Sequence, residues 1–172
     1  MEKQYICGGT KYTFGYRTIS LPVSFEVLPP VLEIEDYRLL LKSSFHISLV
    51  CIGKIIEKFD ISIPDFENLL IKDFCEFTQK NDVSLVCYSG EFRFATQNER
   101  KSVVLMAEIS NLNGFFDTIN QKYELSVETP PTHVTLYTFQ PDLGIFITDS
   151  KELKQLTKVI DNPIKTLKFC SD

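Results

Sequence analysis

The sequence predicts an α+β fold of antiparallel sheet with flanking helices, arranged as two similar lobes within a single domain, 1–172. Strand-like segments often follow one another directly, which favours antiparallel pairing. Helical segments occur in both halves of the chain. The two strands that carry histidine lie 87 positions apart in a chain of 172 residues. Each lobe is therefore expected to supply one histidine strand, although the two halves share little sequence similarity beyond those strands.

The first half is predicted to be mostly strand with one well-marked helix. Residues 13–27 alternate in polarity and are rich in β-branched and aromatic types, so they predict a strand or hairpin. Residues 32–42 predict a short helix, because several of their apolar side chains fall on one helical face. Residues 45–52 predict a strand. Residues 64–80 predict a helix, since Pro64 suits a first turn and an apolar stripe follows it.

The second half is predicted to contain two helices among short strands. One helix is expected at 114–122. Another is expected to begin at Asp149 and run through 159, because Glu152 three positions later completes a capping box. The strand-like segments lie at 83–88, 91–96, 103–109, 132–139, 144–147 and 166–169.

The composition favours an ordinary globular domain and argues against one class of partner. Hydrophobic residues make up 44% of the chain and charged residues 24%, so a core can form without metal or disulfide support. The net charge of -5 argues against a broad nucleic-acid surface, which needs clustered Lys and Arg. It leaves open a small nucleotide held in a local pocket.

The cysteines and the apolar runs predict a soluble, cytoplasmic protein. The chain has five cysteines and no CxxC pair, which predicts reduced thiols in an intracellular protein. Cys51 and Cys87 lie in apolar runs, where burial is the expected use. The N-terminal segment lacks the apolar region of a signal peptide. No apolar run approaches the length that spans a bilayer.

The two histidines of the chain occur in the same local pattern. His46 is followed by Ile47, Ser48 and Leu49, and the second histidine begins the segment His133-Val134-Thr135-Leu136-Tyr137. Because strand side chains alternate between faces, each imidazole shares a face with the hydroxyl two positions later. The aliphatic residues between them face the other side. Two such strands packed side by side would bring two imidazoles and two hydroxyls together.

This set of groups suits phosphodiester chemistry. A neutral imidazole can take a proton from an attacking hydroxyl or water, and a protonated imidazole can give one to the leaving oxygen. Histidine serves both roles because its unperturbed pKa is near 6.5. The hydroxyls of Ser48 and Thr135 can donate hydrogen bonds to the non-bridging phosphate oxygens. A single His-x-Ser/Thr match carries almost no information, whereas two matches from two histidines favour catalysis over coincidence.

Paired His-apolar-Ser/Thr-apolar motifs define the 2H (two-histidine) phosphoesterase superfamily, and the chain resembles that superfamily at both motifs. The superfamily includes RNA 2′,3′-cyclic phosphodiesterases, enzymes once called 2′-5′ RNA ligases, RNA-trimming exonucleases, and viral enzymes that cleave 2′-5′ or cyclic oligonucleotide signals. Element order and motif spacing extend the resemblance over most of the chain, while specific identity is confined to the motifs.

The resemblance has implications for fold and site. It implies two pseudo-symmetric lobes around a central cleft. His46 and His133 match the catalytic histidines, and Ser48 and Thr135 match the phosphate-binding hydroxyls. No metal and no cofactor is implied. The resemblance also implies a hydrolase or cyclising phosphotransferase that acts on a nucleotide, an oligonucleotide or an RNA end.

Aromatic and basic residues offer further candidate contacts. Tyr137 is predicted to bind substrate because it shares the face of His133 in a regular strand, and a partly buried strand tyrosine is the alternative. Tyr12, Phe14 and Tyr16 alternate along the chain and could form an aromatic lid for a base, and core packing is the alternative. Arg17 and Arg93 could meet phosphate or simply lie in solvent. The sequence contains no phosphate loop, GxGxxG, GxSxG or HExxH motif, and no convincing zinc set.

Three functions remain open at the level of sequence. The first is a metal-independent phosphodiesterase that cleaves a 2′,3′-cyclic phosphate or a 2′-5′ or cyclic oligonucleotide. The second is a non-catalytic module that holds a nucleotide in the same cleft. The third is a structural or interaction protein, which predicts two imidazoles far apart with no shared cleft.

Overall fold

The computed structural model describes residues 3–170 and joins its strands into a ten-stranded sheet in which every pairing is antiparallel. The strands are β1 Lys3–Cys7, β2 Thr10–Gly15, β3 Thr18–Val23, β4 Val31–Ile34, β5 Tyr37–Leu41, β6 Phe45–Cys51, β7 Leu85–Gln97, β8 Arg100–Ile109, β9 His133–Thr138 and β10 Thr157–Ile160. The helices are α1 Ile52–Phe59, α2 Phe66–Thr78, α3 Leu112–Tyr123 and α4 Ser150–Leu156. This architecture confirms the α+β class.

The strand order brings the two histidine strands together at the middle of the sheet. The order is β1-β2-β3-β6-β9-β8-β7-β10, and the β4-β5 hairpin pairs with β9 beside β6. Four strands of the path therefore lie on each side of the β6-β9 junction. Hairpin and short connections place the first half of the chain on one side and the second half on the other.

The aliphatic face of the histidine strands lies in the main core. Ile47, Leu49, Val134 and Leu136 are fully buried and belong to one hydrophobic cluster that also includes side chains of α2 and α3. Edge-to-face aromatic contacts between Phe74 and other rings join the helices to this cluster. The opposite face of β6 and β9 is therefore the one left for a site.

Two of the predicted helices after residue 60 and the helix cap at Asp149 are confirmed. The helix expected at 64–80 is α2, and the helix expected at 114–122 is α3. At α4 the Asp149 carboxylate accepts a hydrogen bond from the backbone N–H of Glu152 at 2.8 Å, which is one half of the predicted capping box. The Glu152 carboxylate accepts from the N–H of Thr148 and not from that of Asp149. The helix ends at Leu156 rather than at 159, because the chain turns extended there to pair with β7.

Three local predictions are wrong. Residues 32–42 form the β4-β5 hairpin and not a helix, with Ile34 paired to Tyr37 across a two-residue turn. Residues 144–147 form an irregular segment and not a strand, held by burial of Ile145 and Ile147. Residues 166–169 form turn and coil. In each case a short apolar pattern fits more than one structure, and tertiary contacts decide between them.

Two further differences concern the boundaries of elements. The strands expected at 83–88 and 91–96 are one long strand, β7, with a register shift between Tyr88 and Phe92. Gly90 has a φ of 81° in this region, which a glycine adopts without strain. The helix α1 begins directly where β6 ends, and the sequence did not predict it.

The expectation of five reduced thiols is wrong for four of them. Disulfides join Cys7 to Cys75 and Cys87 to Cys170, while Cys51 is free and buried. The paired cysteines are 68 and 83 positions apart, so only the folded chain brings them together. Because disulfides persist mainly in oxidising environments, these four residues no longer support a cytoplasmic location, which stays a prediction.

The remaining expectation about location was that no segment of the chain spans a membrane. Within residues 3–170, none of the helices has the length and apolar character needed to cross a bilayer.

Candidate functional site

The site begins with the pairing of β6 and β9. Ile47 and Val134 are antiparallel partners. One step to either side of this pair, the register places Ser48 beside His133 and His46 beside Thr135. These four side chains point away from the core face and form the corners of a square. The two imidazoles occupy one diagonal and the two hydroxyls the other.

The neighbouring strands extend the square on both sides. On β3, Ser20 is the partner of Ser48, and Pro22 is the partner of His46. On β8, Met106 is the partner of His133, and Val104 is the partner of Thr135. A polar row from β3 to β9 thus crosses the middle of the sheet, bounded by apolar side chains on β8.

A cavity of about 480 Å³ opens above this square. His46, Ser48, His133 and Thr135 all line it, and so does Ser20. Its volume lies within the roughly 300–1,000 Å³ typical of small-molecule sites. A second cavity of about 40 Å³ shares Cys51 with it and is too small for a nucleotide. The hypothesis of a purely structural protein predicted two histidines without a common cleft. The shared cavity does not meet that condition.

His133 has a defined hydrogen on one ring nitrogen. Its Nδ1 lies 2.9 Å from the carbonyl oxygen of Pro131. Because a carbonyl only accepts, Nδ1 donates this bond, and Nε2 carries the lone pair of the neutral ring. Burial lowers the pKa of His133 from its usual value of 6.5; the bond to Pro131 acts in the opposite direction, and the charge of nearby His46 lowers it further.

His46 differs from His133 in exposure. Its side chain is exposed, whereas His133 is half-buried. Both imidazoles line the same cavity, and the charge of His46 contributes to the lowered pKa of His133. The site therefore combines one imidazole whose neutral form is favoured by burial with a second one that is exposed.

The structure does not bring Tyr137 to the cavity. Tyr137 is 0% exposed, and its hydroxyl donates to the carbonyl oxygen of Pro29 at 2.8 Å. The register shifts along β9, because Val104 pairs with Thr135 but Val103 pairs with Tyr137. The extra residue, Leu136, forms a β-bulge that reverses the alternation of side chains. Tyr137 consequently faces the core instead of sharing the face of His133.

Tyr12 also lies away from the cavity. It is 1% exposed, donates to the carbonyl oxygen of Val83 at 2.6 Å and packs edge-on against Phe74. Core packing, the alternative use, is what the structure assigns to it. Arg17 forms an ion pair with Glu67 and Arg93 one with Glu91, and neither arginine lines the cavity.

The cavity wall includes residues that sequence reasoning missed. Lys42, Arg100 and Phe146 line it. All three lie at strand ends or in connections, where periodicity carries no signal. Of the three residues predicted as an aromatic lid, Tyr16 lines the cavity, whereas Tyr12 and Phe14 do not.

Potential metal ligands cluster elsewhere. In the part of the chain that the structure describes, one group of three ligand atoms lies within 4.8 Å, from Cys87, Glu108 and Cys170. Two of its members are joined as a disulfide. Neither histidine belongs to a group of this kind among residues 3–170.

Comparisons with known proteins add no relative. No protein-family model, no characterised protein and no solved structure matches the chain. The functional argument therefore rests on the site itself.

Proposed function

We propose that the protein is a metal-independent phosphodiesterase of the two-histidine type, which cleaves a nucleotide phosphodiester by paired general acid and base catalysis. The observation that supports this most is the square of His46, Ser48, His133 and Thr135 in one cavity. Imidazoles on one diagonal can act on opposite sides of a phosphorus atom. The hydroxyls on the other diagonal are free to address the remaining phosphate oxygens.

His133 is the base in this proposal. Its burial favours the neutral form, and the bond from Nδ1 to Pro131 leaves the Nε2 lone pair available. Nε2 takes the proton of the attacking hydroxyl or water as the new P–O bond forms. The proton then resides on His133 until solvent removes it.

His46 is the acid. Its exposed side chain can exchange protons with solvent between cycles. It gives this proton to the leaving oxygen as the old P–O bond breaks. One proton enters the site on His46 and one leaves it on His133, so the cycle balances.

Ser48 and Thr135 stabilise charge in this scheme. Each hydroxyl donates a hydrogen bond to a non-bridging oxygen, where negative charge increases in the transition state. The position of both half-buried side chains on the cavity wall of a regular sheet supports this role, because preorganised donors need no rearrangement. Two pseudo-symmetric lobes around the cleft, with four strands of the sheet in each, are part of the proposal and match the 2H phosphoesterase resemblance.

A turnover screen tests the proposal. Purified protein is incubated at neutral pH with chelator and no added metal, using 2′,3′-cyclic nucleotides, 2′-5′ oligoadenylate, cyclic di- and trinucleotides and a short RNA. We expect cleavage of at least one substrate by the wild type and none by the His133→Ala variant. Thr132→Val serves as a matched control, since Thr132 bonds to the carbonyl oxygen of Ala107 outside the cavity and its loss should leave turnover intact.

Binding without turnover would contradict the enzymatic proposal. A protein that holds one of these ligands in the cleft and leaves it uncleaved, with affinity lost on substitution of the cavity residues, would be a nucleotide-binding module. Cleavage that survives in both histidine variants would exclude the mechanism.

A further inference from the structure

The charge of the cavity wall differs from that of the whole protein. Apart from the two histidines, the charged side chains among the described residues that line the cavity are Lys42, Arg100 and Asp142. The wall thus has one more cation than carboxylate, while the chain has a net charge of -5. A local cationic surplus in an acidic protein favours an anionic ligand.

The two cations converge on one short segment beside the square. Lys42 Nζ lies 3.4 Å from the carbonyl oxygen of Asp142, and Arg100 Nη1 lies 3.5 Å from that of Gly144. A methyl group at position 144 would lie 3.6 Å from Thr135 Oγ1, so the segment reaches the phosphate-binding corner. The cations are therefore next to the scissile phosphate position without occupying it.

Neither cation forms a direct ion pair with a carboxylate among the described residues. Over residues 3–170, no ion pair within 4.0 Å includes Lys42 or Arg100. The carboxylate of Asp142 instead accepts two bonds from Ser43, one from N–H and one from Oγ, both at 2.9 Å. These bonds, together with the charge of Lys42, hold the pKa of Asp142 below its usual range. Asp142 fixes the wall, and both cations keep donors for a ligand.

An exposed aromatic side chain stands on the opposite rim. Tyr16 is 97% exposed and lies at the tip of the β2-β3 hairpin, on the far side of β6 from β9. Tyr16 and Arg17 both have positive φ, 50° and 56°, as a two-residue type I′ turn requires.

The tip of this hairpin is held rigidly. Gly53 donates its N–H to the carbonyl oxygen of Arg17 at 3.1 Å, and the Arg17 side chain pairs with Glu67 at 2.7 Å. The turn that carries Tyr16 is thus fixed through Arg17, while the ring of Tyr16 is exposed and covers no core. Aromatic side chains presented in this way beside a cationic groove serve as stacking platforms for nucleobases.

We propose that the substrate is an oligonucleotide that carries at least one phosphate besides the scissile one. The scissile phosphate lies on the histidine square, a neighbouring phosphate binds Lys42 and Arg100, and a base stacks on Tyr16. A mononucleoside 2′,3′-cyclic phosphate would leave the two cations unused. This inference rests on the proposed function and specifies its substrate class.

The test compares kcat/KM for a mononucleotide and for oligonucleotides of the same base. The mononucleotide is adenosine 2′,3′-cyclic phosphate. The oligonucleotides are 2′-5′ triadenylate, a cyclic diadenylate and a triadenylate RNA ending in a 2′,3′-cyclic phosphate. Because they differ in linkage, the panel also shows which type of phosphodiester is cleaved. We expect the wild type to prefer at least one oligonucleotide over the mononucleotide.

Substitutions at Lys42, Arg100 and Tyr16 test whether these residues cause that preference. We expect Arg100→Gln and Lys42→Gln each to lower kcat/KM for the preferred oligonucleotide about tenfold more than for the mononucleotide, because the mononucleotide has no second phosphate. Tyr16→Ala should lower kcat/KM for both substrates, because each carries a base that can stack. Tyr16→Phe should retain most of the activity, since stacking needs only the ring. Lys101→Gln is the matched control, because Lys101 lies over the ring of Tyr37 outside the cavity.

Two outcomes would overturn the inference. Equal or better turnover of the mononucleotide by the wild type is one, and equal losses on both substrates in the Lys42→Gln and Arg100→Gln variants is the other. If the wild type cleaves nothing, the proposed function fails, and the inference is then tested by affinity. In that case fluorescent triadenylate and fluorescent adenosine monophosphate are titrated, and equal affinity for the two would overturn it.

Discussion

The two histidine strands have the same sequence pattern and different surroundings. On β9, His133 is the first residue of the strand, follows two prolines and donates Nδ1–H to the carbonyl oxygen of Pro131. On β6, His46 is the second residue of the strand, follows two serines and is exposed. The pattern sets which face each imidazole occupies, while the residues just before the strand set its environment. Equivalent motifs therefore differ in burial, and burial lowers the pKa of His133. This difference is the basis for proposing His133 as the base and His46 as the acid.

The largest expected effect separates the two histidines by leaving group. His133→Ala and His46→Ala should each lower kcat on a natural phosphodiester by roughly 10²–10⁴-fold, since each removes a proton-transfer group. A nucleoside p-nitrophenyl phosphodiester has a leaving group that needs no proton. On that substrate we expect His46→Ala to retain most of the activity and His133→Ala to lose it.

This experiment can break the comparison directly. Equal losses for both variants on the nitrophenyl substrate would show that the two imidazoles are not divided into base and acid. Retention in His133→Ala with loss in His46→Ala would reverse the assignment. Circular dichroism and thermal melts confirm that both variants are folded.

The second-largest effect is expected at Ser48 and Thr135, whose hydroxyls occupy the second diagonal of the square. Thr135→Val keeps a β-branched side chain of similar shape and removes one donor to the phosphate, so we expect kcat to fall by about 10²-fold with a smaller change in KM. Ser48→Ala should act in the same direction. Steady-state kinetics with the substrate from the screen measures both. An unchanged kcat in the Thr135→Val variant would remove this residue from the catalytic set.

The pH dependence of activity tests the role of His133 as the base without a substitution at that residue. Burial lowers the pKa of His133 below 6.5, and the neutral ring is the active form, so activity should persist below pH 6.5 and decline only under more acid conditions. Below that pKa, kcat/KM should fall about tenfold for each pH unit.

Nuclear magnetic resonance can follow the ring itself. The chain has two histidines, so the His46→Ala variant leaves a single imidazole whose titration belongs to His133. Removing His46 also removes a charge that lowers the pKa of His133, so the value in the variant is an upper bound for the wild type. A titration midpoint clearly above 6.5 in the wild type would contradict the assignment of His133 as the neutral base.

The smallest effect is expected at Tyr137. Tyr137→Phe removes the hydrogen bond to Pro29 and leaves the ring in the core, so the free energy of unfolding should fall by about 1 kcal/mol. Turnover should not change, because the side chain does not reach the cavity. Chemical denaturation measures the first quantity and the screen the second. A large loss of turnover in a stable variant would show that Tyr137 contributes to the functional site.

Sequence periodicity was sufficient to place each imidazole on the face of its hydroxyl, and it failed at the bulge that follows Thr135. Alternation along regular strands correctly paired each imidazole with its hydroxyl, because that property is local. The bulge at Leu136 arises from pairing with β8, so alternation alone could not reveal that Tyr137 faces the core. The adjacency of β6 and β9 is likewise a property of the sheet and not of either strand.

Three residues of the cavity wall escaped prediction for a related reason. Lys42, Arg100 and Phe146 lie at strand ends or in connections that come together only when the sheet is assembled. The disulfides have the same origin, since their partners are far apart in sequence. Short apolar stretches such as 32–42 fit a helix and a hairpin equally well, and pairing with β9 through β5 decides the outcome.

Antiparallel pairing gives the square a consequence for the direction of the substrate. A half-turn about an axis through the Ile47-Val134 pair exchanges His46 with His133 and Ser48 with Thr135. By the strands alone, a phosphodiester could therefore lie in the cleft in either polarity. In the proposed mechanism the carbonyl oxygen of Pro131 and the burial around His133 remove this equivalence. A substrate bound backwards would present its leaving oxygen to a ring that has no proton to give.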